Sequence, residues 1–390
     1  MIIRSFSARK VFNSRNEPTI QLTINTSNGK YSSAAPSGAS TGIHEVFPYS
    51  KKGIDRSIDL LNELKDFNNF EISSFEDFHD IEEVFNKYDS TEKLEKIGGN
   101  SIIAFEFALL KAISKGNVWE FLNPNAKNIP VPLGNCMGGG AHFKGEGLDI
   151  QEFLLMPKGD SFKERAEINR ELHALVGKKL NCNEKNDEGG WAPKISNLKA
   201  FEVLKEVIEE SGKKATFGID MAASQFFKDD KYIYNSFSES EKTKEFSEDE
   251  QIDFLKYLVD RFKLSYIEDP LYEESFCAYG RLKPLFKKTL ICGDDLICTN
   301  LNRLKRSNVN CIIIKPNQVG SIIKTKEIVD YAIKKDIKTV ISHRSGETMD
   351  ATISHLAVAW NIPYIKCGIF GKEREAKINE LIKIEKYIKP

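Results

Sequence analysis

The chain alternates between short apolar runs and longer helical patterns from residue 215 to residue 388, and this alternation restricts its fold more than any other feature. Regular strand–helix alternation is typical of a parallel sheet covered by helices. The predicted units are 215–220 with 248–262, 265–268 with 275–286, 289–294 with 300–307, 311–315 with 321–335, 338–343 with 349–360, and 364–367 with 374–388. Strands near 131–135 and 150–156 and two helices, 161–181 and 197–212, precede them. Together they predict an α/β barrel, a modified eight-stranded barrel of ββαα(βα)6 type.

The first part of the chain has a different pattern. Its predicted strands are 2–13, 18–26 and 30–35, and its predicted helices lie at about 52–67, 76–87 and 100–114. A three-stranded meander followed by helices is an α+β domain. The proline-rich segment from Asn123 to Pro132 is typical of a linker. We therefore predict an N-terminal α+β capping domain at 1–125 and a barrel that carries the active site at 126–390.

The composition is that of an ordinary globular enzyme. Lys and Arg number 56 against 57 Asp and Glu, and this net charge of -1 argues against nucleic acid or a membrane surface as partner. The seven cysteines are scattered singly, which favours free thiols in the cytoplasm. The longest apolar stretch, Ile102 to Ile113, is interrupted by Glu106 and Lys111. This pattern predicts an amphipathic helix rather than a membrane span.

Three carboxylates stand at the ends of successive predicted strands: Asp220, Glu268 and Asp294. The carboxyl ends of barrel strands meet at one face, so these side chains are expected to converge. All-oxygen ligands suit Mg²⁺ better than zinc. A single aspartate at a strand end is more often a helix cap, but three in consecutive units favour a metal site. Asp269 and Asp295 follow directly and are expected to point away from the barrel axis as capping groups.

Lys315 and Lys366 end two later strands of the barrel. Burial, a second ammonium group and a nearby cation would each lower the pKa of Lys315, so that it can act as a general base. The alternative is a structural salt bridge to one of the carboxylates.

The segment from Ser342 to Thr348 combines His343, Arg344 and Ser345. The segment predicts a phosphate site. Such a site would combine the guanidinium fork, the hydroxyl and the amides at the start of the next helix. A buried arginine–carboxylate pair is the alternative for Arg344.

Glu152 and Glu188 supply two further carboxylates. Side by side in a dry site they cannot both ionise freely, so one should keep a proton, as a general acid needs. Two glycine-rich segments, Gly138–His142 and Ser37–Gly42, fit no nucleotide-binding fingerprint. Their composition suits loops that close over a substrate.

Together these segments resemble the enolase family over most of the chain. The matching strings are Ser37-Gly38-Ala39-Ser40-Thr41-Gly42, Gln151-Glu152-Phe153, Asp187-Glu188-Gly189-Gly190, Ile267-Glu268-Asp269-Pro270, Asp294-Asp295-Leu296, Lys315-Pro316-Asn317-Gln318 and Ser342-His343-Arg344-Ser345-Gly346-Glu347-Thr348. The resemblance implies a glycolytic lyase that reversibly dehydrates 2-phosphoglycerate to phosphoenolpyruvate.

The resemblance also implies a role for each site residue. Asp220, Glu268 and Asp294 would bind the first Mg²⁺, and Ser40, on a closing loop, would bind the second. Lys315 would be the base and Glu188 the acid, with Glu152 as its partner. Arg344 and Ser345 would hold the phosphate, Lys366 would neutralise the substrate carboxylate, His343 would line the site, and His142 would arrive on a loop. The family also implies a homodimer or a larger homo-oligomer.

This chain departs from the family in four places. The region between His44 and Asn100 is shorter than usual. The segment from Asn13 to Pro18 and Gly138 differ from the usual residues, and Gly368–Lys372 lacks the family's Ala-Pro-Ala-Arg. None of these changes removes a catalytic group. Two other functions stay open at this point: action on another phosphorylated or 2-hydroxy acid, and a scaffold of low activity.

Overall fold

The computed structural model describes residues 1–38 and 42–389 of the chain. Its strands are β1 (Ile3–Phe12), β2 (Pro18–Thr26), β3 (Gly29–Ala34), β4 (Val131–Met137), β5 (Glu152–Pro157), β6 (Ala215–Asp220), β7 (Phe227–Lys228), β8 (Lys231–Tyr234), β9 (Lys244–Phe246), β10 (Tyr266–Glu268), β11 (Leu290–Gly293), β12 (Cys311–Ile314), β13 (Lys338–Ser342) and β14 (Tyr364–Lys366).

Its helices are α1 (Ile54–Glu63), α2 (Phe78–Tyr88), α3 (Gly99–Ile113), α4 (Val118–Leu122), α5 (Phe162–Leu180), α6 (Asn197–Ser211), α7 (Glu248–Phe262), α8 (Phe276–Leu285), α9 (Leu301–Arg306), α10 (Pro316–Val319), α11 (Ile322–Lys334), α12 (Thr352–Ala359) and α13 (Lys372–Ile388). The short 3-10 turns are Gly140–His142 and Ala223–Phe226.

The N-terminal strands form an antiparallel meander in the order β1-β2-β3. Gly29, with a φ of 122°, makes the tight turn into β3 that Asn28-Gly29 predicts. The sheet packs against α3 through an aromatic cluster in which Phe6 of β1 and Phe105 of α3 have ring centroids 5.3 Å apart. Sheet and helices together form the predicted α+β unit.

The prediction that the apolar stretch is an amphipathic helix is wrong, because α3 is buried on nearly all sides. It packs on β2 and β3 with one face and on α10 with another. Even Glu106 is fully buried, and its carboxylate accepts a hydrogen bond of 2.9 Å from the backbone N–H of Ile322 at the start of α11. Burial, followed by the neighbouring Glu82 carboxylate, raises the pKa of Glu106 well above its usual value. In residues 1–38 and 42–389, no helix has the length and apolar character needed to cross a membrane.

The second part of the chain is a closed eight-stranded barrel, and it confirms the predicted fold class. Around the barrel the strands follow the order β10-β11-β12-β13-β14-β4-β5-β6. Strand β5 pairs antiparallel with both β4 and β6, whereas the other pairs are parallel. This single reversed strand is what the ββαα(βα)6 pattern requires. A small sheet of β7, β8 and β9 lies outside the barrel. The predicted domain boundary between residues 125 and 126 lies in the irregular segment between α4 and β4, and it stays a prediction.

The barrel interior is layered. A buried apolar layer fills it, made of Leu133, Leu154, Met156, Tyr266, Cys292, Cys311, Ile313 and Val340. Side chains alternate between the two faces of a strand, so the next inward positions follow two residues along the chain or, on the reversed strand β5, two residues before. These positions include Asp220, Glu268, Asp294, Lys315 and Lys366. An apolar layer therefore supports a charged one at the carboxyl end of the barrel.

Candidate active site

A polar pocket occupies the carboxyl end of the barrel. Ten of the predicted site residues line it: His142, Glu152, Glu188, Asp220, Asp294, Lys315, His343, Arg344, Ser345 and Lys366. Glu152 reaches this rim because β5 is reversed, so that its first residue lies beside the last residues of its neighbours. Glu268 lies at the base of the same site, fully buried. The predicted ligand Ser40 falls outside the described residues.

Lys366 lies at the centre of the charged layer. Its ammonium nitrogen is 2.9 Å from Asp220 Oδ2, 3.0 Å from both oxygens of Glu268, and 3.1 Å from Glu152 Oε2. Burial alone would favour the neutral amine, but these carboxylates raise the pKa of Lys366 well above its usual value. Burial, followed by the repulsion of Asp220, raises the pKa of Glu268 well above its usual value. The four side chains form one buried cluster of ion pairs.

Lys315 pairs with Asp294, and its predicted drop in pKa does not occur here. The Lys315 ammonium group donates to Asp294 Oδ2, and Gln318 Nε2 donates to Asp294 Oδ1 at 3.1 Å. Burial acts to lower the pKa of Lys315, but the Asp294 carboxylate raises it above its usual value. The charge of Lys315, although opposed by burial, keeps the pKa of Asp294 low. This ion pair is the salt bridge that the sequence left open as the alternative for Lys315.

The donor set fits a divalent cation. Six of the side chains that line the pocket are acidic (Glu45, Glu152, Glu188, Asp220, Asp294 and Asp295), whereas three carry a permanent positive charge (Lys315, Arg344 and Lys366). Hard carboxylate oxygens dominate, as Mg²⁺ and similar ions require. At the base of the pocket, repulsion from Asp220 adds to burial in raising the pKa of Glu268. An additional cation would relieve that repulsion.

The predicted metal ligands Asp220, Glu268 and Asp294 are not the residues whose potential ligand atoms lie closest together. In the part of the chain that the structure describes, the ligand atoms of His142, Glu152 and Glu188 lie within 4.8 Å of one another, as do those of Asp269, Asp294 and Asp295. Asp220 and Glu268 instead surround the Lys366 ammonium group, and Asp294 is drawn toward Lys315. The assignment of Asp220, Glu268 and Asp294 as ligands of one ion stays a prediction.

Asp269 caps the backbone that follows Asp294. Its carboxylate accepts the N–H of Asp294 at 3.0 Å and the N–H of Asp295 at 2.6 Å. This is the capping arrangement that the sequence predicts for Asp269. The same prediction is wrong for Asp295, which lines the pocket. The bonds fix the turn after β11, and thereby the direction of the Asp294 side chain.

Glu152 and Glu188 lie on either side of His142. The His142 Nε2 atom is 3.6 Å from Glu152 Oε1 and 3.6 Å from Glu188 Oε1. Burial and the Glu188 charge raise the pKa of Glu152 to about 7. Burial also acts to raise the pKa of Glu188, but His142 and His343 hold it well below its usual value. Glu152 is therefore the carboxyl group of the pair that retains a proton near neutral pH. The roles of Glu188 as the acid and of Glu152 as its partner stay predictions.

The His142 imidazole is fixed by the neighbouring loops. Its Nδ1 is 2.9 Å from Asp187 Oδ1, and Arg15 holds the other oxygen of Asp187 at 2.8 Å. Burial disfavours the imidazolium, yet the surrounding carboxylates, led by Glu188, raise the pKa of His142 well above its usual value. The backbone N–H of Ala141 donates to Gln225 Oε1 at 2.9 Å. The loop that carries His142 is therefore tied to both domains.

Arg344 makes the buried carboxylate pair that the sequence left open as the alternative. Its NH1 is 2.9 Å from Glu45 Oε2, and its NH2 is 3.2 Å from Glu45 Oε1. NH1 also donates to Asn317 Oδ1 at 3.1 Å. Both Arg344 and Glu45 are buried, and both line the pocket. A two-pronged guanidinium that binds a carboxylate here has the geometry to bind a phosphate instead.

The expected helix amides do not join this cradle. Helix α12 begins at Thr352, well after Ser345, and the N–H of Thr352 donates to Asp350 Oδ1 at 2.9 Å. Ser345 is held by two arginines that sequence reasoning missed. The Oγ of Ser345 accepts from Arg15 at 3.4 Å, and its carbonyl oxygen accepts from Arg374 at 2.7 Å. These contacts link distant parts of the chain, so no local spacing could have revealed them.

Two family models match this chain, and together they cover nearly all of it. The family model "Enolase, N-terminal domain" matches residues 3–121, and "Enolase, C-terminal TIM barrel domain" matches residues 126–389. The chain belongs to the enolase family. It is 38% identical to the enolase of Methanothermobacter thermautotrophicus, and the alignment covers 99% of this chain and 97% of that protein. It is 40% identical to the enolase of Methanosphaera stadtmanae, with 98% and 97% covered. For the enolase of Halorubrum lacusprofundi the identity is 39%, with 98% of each chain covered.

Membership of the enolase family accounts for what the pocket contains. Lysines, acidic side chains and an arginine fork converge at the carboxyl end of an enolase barrel, where the sequence strings that resemble the family also lie. The family implies a divalent metal ion and a small-molecule substrate, and the acid-rich lining is consistent with both.

Proposed function

We propose that this protein is a carbon–oxygen lyase that reversibly converts 2-phosphoglycerate to phosphoenolpyruvate, a step of glycolysis and gluconeogenesis. One observation carries the proposal beyond family membership: Lys315, the paired Glu152 and Glu188, and Arg344 all open into one pocket that is rich in carboxylates. A base, an acid and an anion anchor on one surface match the three needs of this dehydration. The substrate has a proton beside a carboxylate, a hydroxyl that leaves, and a phosphate that must be held.

The metal in this proposal is Mg²⁺, with two ions in each site. Asp220, Glu268 and Asp294 would hold the first ion, and Ser40 would contribute to the second. When bound, Mg²⁺ supplies positive charge that stabilises the negative charge developing on the substrate carboxylate. Oxygen-only ligands on a rigid barrel rim favour this ion over zinc.

Lys315 is the base of the proposed mechanism, and its Nζ takes the proton from the carbon beside the substrate carboxylate. The position of Lys315 supports this role, because it lines the same pocket as Lys366 and pairs there with Asp294. Before it can accept a proton, Lys315 must lose one, so its pairing with Asp294 has to weaken when substrate and metal bind. Lys366 then stays protonated and faces the substrate carboxylate.

Glu188 gives the proton that allows the hydroxyl to leave, and Glu152 is its partner. Because Glu152 holds the proton in the substrate-free protein, that proton must pass to Glu188 before it reaches the hydroxyl. The two carboxyl groups share His142 as a neighbour, and the pKa of Glu152 at about 7 keeps one proton available in the pair near neutral pH. A general acid works best when its pKa lies near the operating pH. His343, whose Nε2 is 3.5 Å from Glu188 Oε2, helps to orient Glu188.

Arg344 and Ser345 hold the phosphate. In this role the guanidinium exchanges its Glu45 partner for phosphate oxygens, which accept the same two parallel hydrogen bonds. A substrate without a phosphate would offer no oxygens to accept these two hydrogen bonds from Arg344. The geometry therefore favours a phosphorylated acid over a plain 2-hydroxy acid.

The cellular setting is also part of the proposal. All seven cysteines carry free thiols, which suits a reducing compartment such as the cytoplasm. A net charge of -1 gives no general attraction to nucleic acid. By family analogy we propose a homodimer or a larger homo-oligomer.

The substrate can be tested by ultraviolet absorbance of phosphoenolpyruvate. With Mg²⁺, the purified protein should convert 2-phosphoglycerate and leave glycerate, which lacks the phosphate, unchanged. Arg344→Lys keeps the charge but loses the fork, so kcat/KM for 2-phosphoglycerate should fall about 100-fold. Arg261→Lys, on the exposed face of α7, is the matched control and should retain full activity. Equal turnover of glycerate, or an unaffected Arg344→Lys variant, would refute the phosphate assignment.

A further inference from the structure

A tyrosine lies directly beneath one of the proposed metal ligands. Tyr266 and Glu268 are two residues apart on β10, so their side chains project to the same face of the strand, into the barrel. Both residues are fully buried. The Tyr266 hydroxyl donates a hydrogen bond of 2.6 Å to Glu268 Oε2. When Glu268 is ionised, as it must be to bind a cation, a hydroxyl at this distance makes a strong, charge-assisted hydrogen bond to it.

The ring of Tyr266 is fixed by the apolar layer below the site. It packs in the cluster that contains Leu154 and Cys311. The facing residue on β6 is Gly218, and a Cβ added there would lie 2.6 Å from Tyr266 Cβ and 2.4 Å from its carbonyl oxygen. Only a residue without a side chain leaves room for β10 at this distance. The position of the phenol is thus set by its surroundings, and its hydroxyl points up into the charged layer.

Glu268 is consequently held from two directions. Lys366 contacts both of its oxygens at 3.0 Å from the side, while Tyr266 donates to Oε2 from below. Together these hydrogen bonds restrict the orientation of the carboxylate. Hydrogen bonds of this kind orient metal-binding carboxylates, and losing one typically lowers metal affinity about 10–100-fold.

We propose that Tyr266 is a positioning residue of the metal site, whose hydroxyl orients the Glu268 carboxylate for cation binding. The inference rests on the proposed magnesium site and extends it to a residue that touches neither substrate nor metal. The alternative is that Tyr266 is a core residue whose hydroxyl donates to Glu268 only because that carboxylate is the nearest acceptor, with no effect on metal binding. The two differ in what removal of the hydroxyl does to metal affinity.

The test compares Mg²⁺ binding to the substrate-free protein by calorimetry in the wild type, Tyr266→Phe and Tyr234→Phe. The control residue Tyr234 is also fully buried and donates its hydroxyl to Gln251 Oε1 at 2.9 Å, outside the pocket. We expect the dissociation constant for Mg²⁺ to rise about 10–100-fold in Tyr266→Phe. The control should stay within about twofold of the wild type. Thermal unfolding of the three proteins separates a loss of stability from a loss of affinity.

Two results would overturn the inference, and they can be told apart. If the wild type binds Mg²⁺ and Tyr266→Phe binds it equally well, Tyr266 is only a core residue and the proposed metal site stands. If the wild type itself binds no Mg²⁺, the metal site and this inference both fail. Should Tyr266→Phe not fold, the wild type labelled with ¹³C at tyrosine Cζ replaces it. A buried tyrosine signal should then shift on saturation with Mg²⁺, and a spectrum that does not change would refute the role.

Discussion

At the scale of single residues, the site is governed by which ionic partner each buried group finds. Glu152 and Glu188 are chemically equivalent and equally buried, yet their pKa values move in opposite directions. Glu188 lies beside two imidazoles, whereas Glu152 has the Glu188 charge as a neighbour. The sequence could predict that one proton is shared by the pair. It could not predict where the proton resides, because that depends on distances of a few ångströms between distant segments.

The raised pKa of Glu152 predicts a pH dependence of stability. Its folded-state pKa of about 7 lies above the unfolded value of about 4.3. The protonated carboxyl therefore stabilises the folded state fully below the unfolded pKa, and this contribution is lost as the pH rises through 7. Glu152→Gln mimics the protonated form. In the presence of a chelator, the free energy of unfolding of Glu152→Gln should rise relative to the wild type between pH 5 and pH 8, two conditions that bracket this titration.

Urea unfolding at the two pH values measures this difference. Glu167→Gln, on the exposed part of α5, serves as the control and should change little with pH. If the difference between Glu152→Gln and the wild type is the same at both pH values, Glu152 does not hold the proton.

At the scale of elements, local patterns predicted most helices and strands to within a few residues, because apolar periodicity is a local signal. The sequence pattern does not predict the short helices α4 and α10, because each has too few residues to display the helical repeat of apolar positions. The nature of α3 was missed for a different reason. Its polar positions are satisfied by partners far along the chain, such as Ile322 for Glu106. A sequence pattern cannot distinguish such a buried polar group from one exposed to water.

The turn that carries Glu188 depends on the packing of α5. Trp191 donates from its indole Nε1 to the carbonyl oxygen of His173 at 2.7 Å, and His173 Nε2 is 3.0 Å from the carbonyl oxygen of Gly189. Gly177 lies against the indole ring, and a Cβ added there would be 2.3 Å from its Cζ2. The absence of a side chain at residue 177 therefore helps to place Glu188.

Gly177→Ala should destabilise the protein and impair the reaction. The added methyl group must displace the Trp191 ring, at a cost of about 1–3 kcal/mol in unfolding free energy. The shift would also move Glu188, so kcat should fall. Gly280→Ala is the matched control, because it lies in α8 with open space, 3.7 Å from Asn308. Helix propensity alone should make that control more stable by about 0.5–1 kcal/mol. A gain in stability in both variants would contradict the packing account.

At the scale of the whole molecule, the barrel could be predicted but its attachment to the N-terminal domain could not. Strand–helix alternation fixes the barrel order because each unit packs beside the previous one. The contacts between domains join residues hundreds of positions apart and leave no local signal. Asp350 shows this best: it accepts hydrogen bonds from Ser33 Oγ at 2.7 Å and from Thr352 N at 2.9 Å, and it forms an ion pair with Lys111.

Asp350→Asn should weaken the attachment of the two domains. Removing one partner of a buried ion pair typically costs about 3–5 kcal/mol of unfolding free energy. Although burial acts to raise it, the pKa of Asp350 is held below its usual value by Lys111 and the surrounding hydrogen bonds. Its contribution is therefore present above the ordinary aspartate pKa of about 4 and is lost as the pH falls through the lower folded value.

Thermal unfolding at pH 7 and at about pH 3 tests this prediction, since the deficit of Asp350→Asn should shrink in acid. The control is Asp336→Asn, which removes an exposed ion pair with Lys338 and should change the stability little. A deficit for Asp350→Asn that equals the control would mean that the interdomain ion pair does not stabilise the fold.

In the proposed mechanism, Lys315 is the base of a metal-dependent dehydration. The most direct measurement follows phosphoenolpyruvate formation from 2-phosphoglycerate by ultraviolet absorbance, with and without Mg²⁺, for the wild type and Lys315→Ala. The account predicts turnover by the wild type only with Mg²⁺, and a loss of about 100–10,000-fold in Lys315→Ala, as removal of a general base produces. Turnover without metal, or a Lys315→Ala variant as active as the wild type, would contradict it.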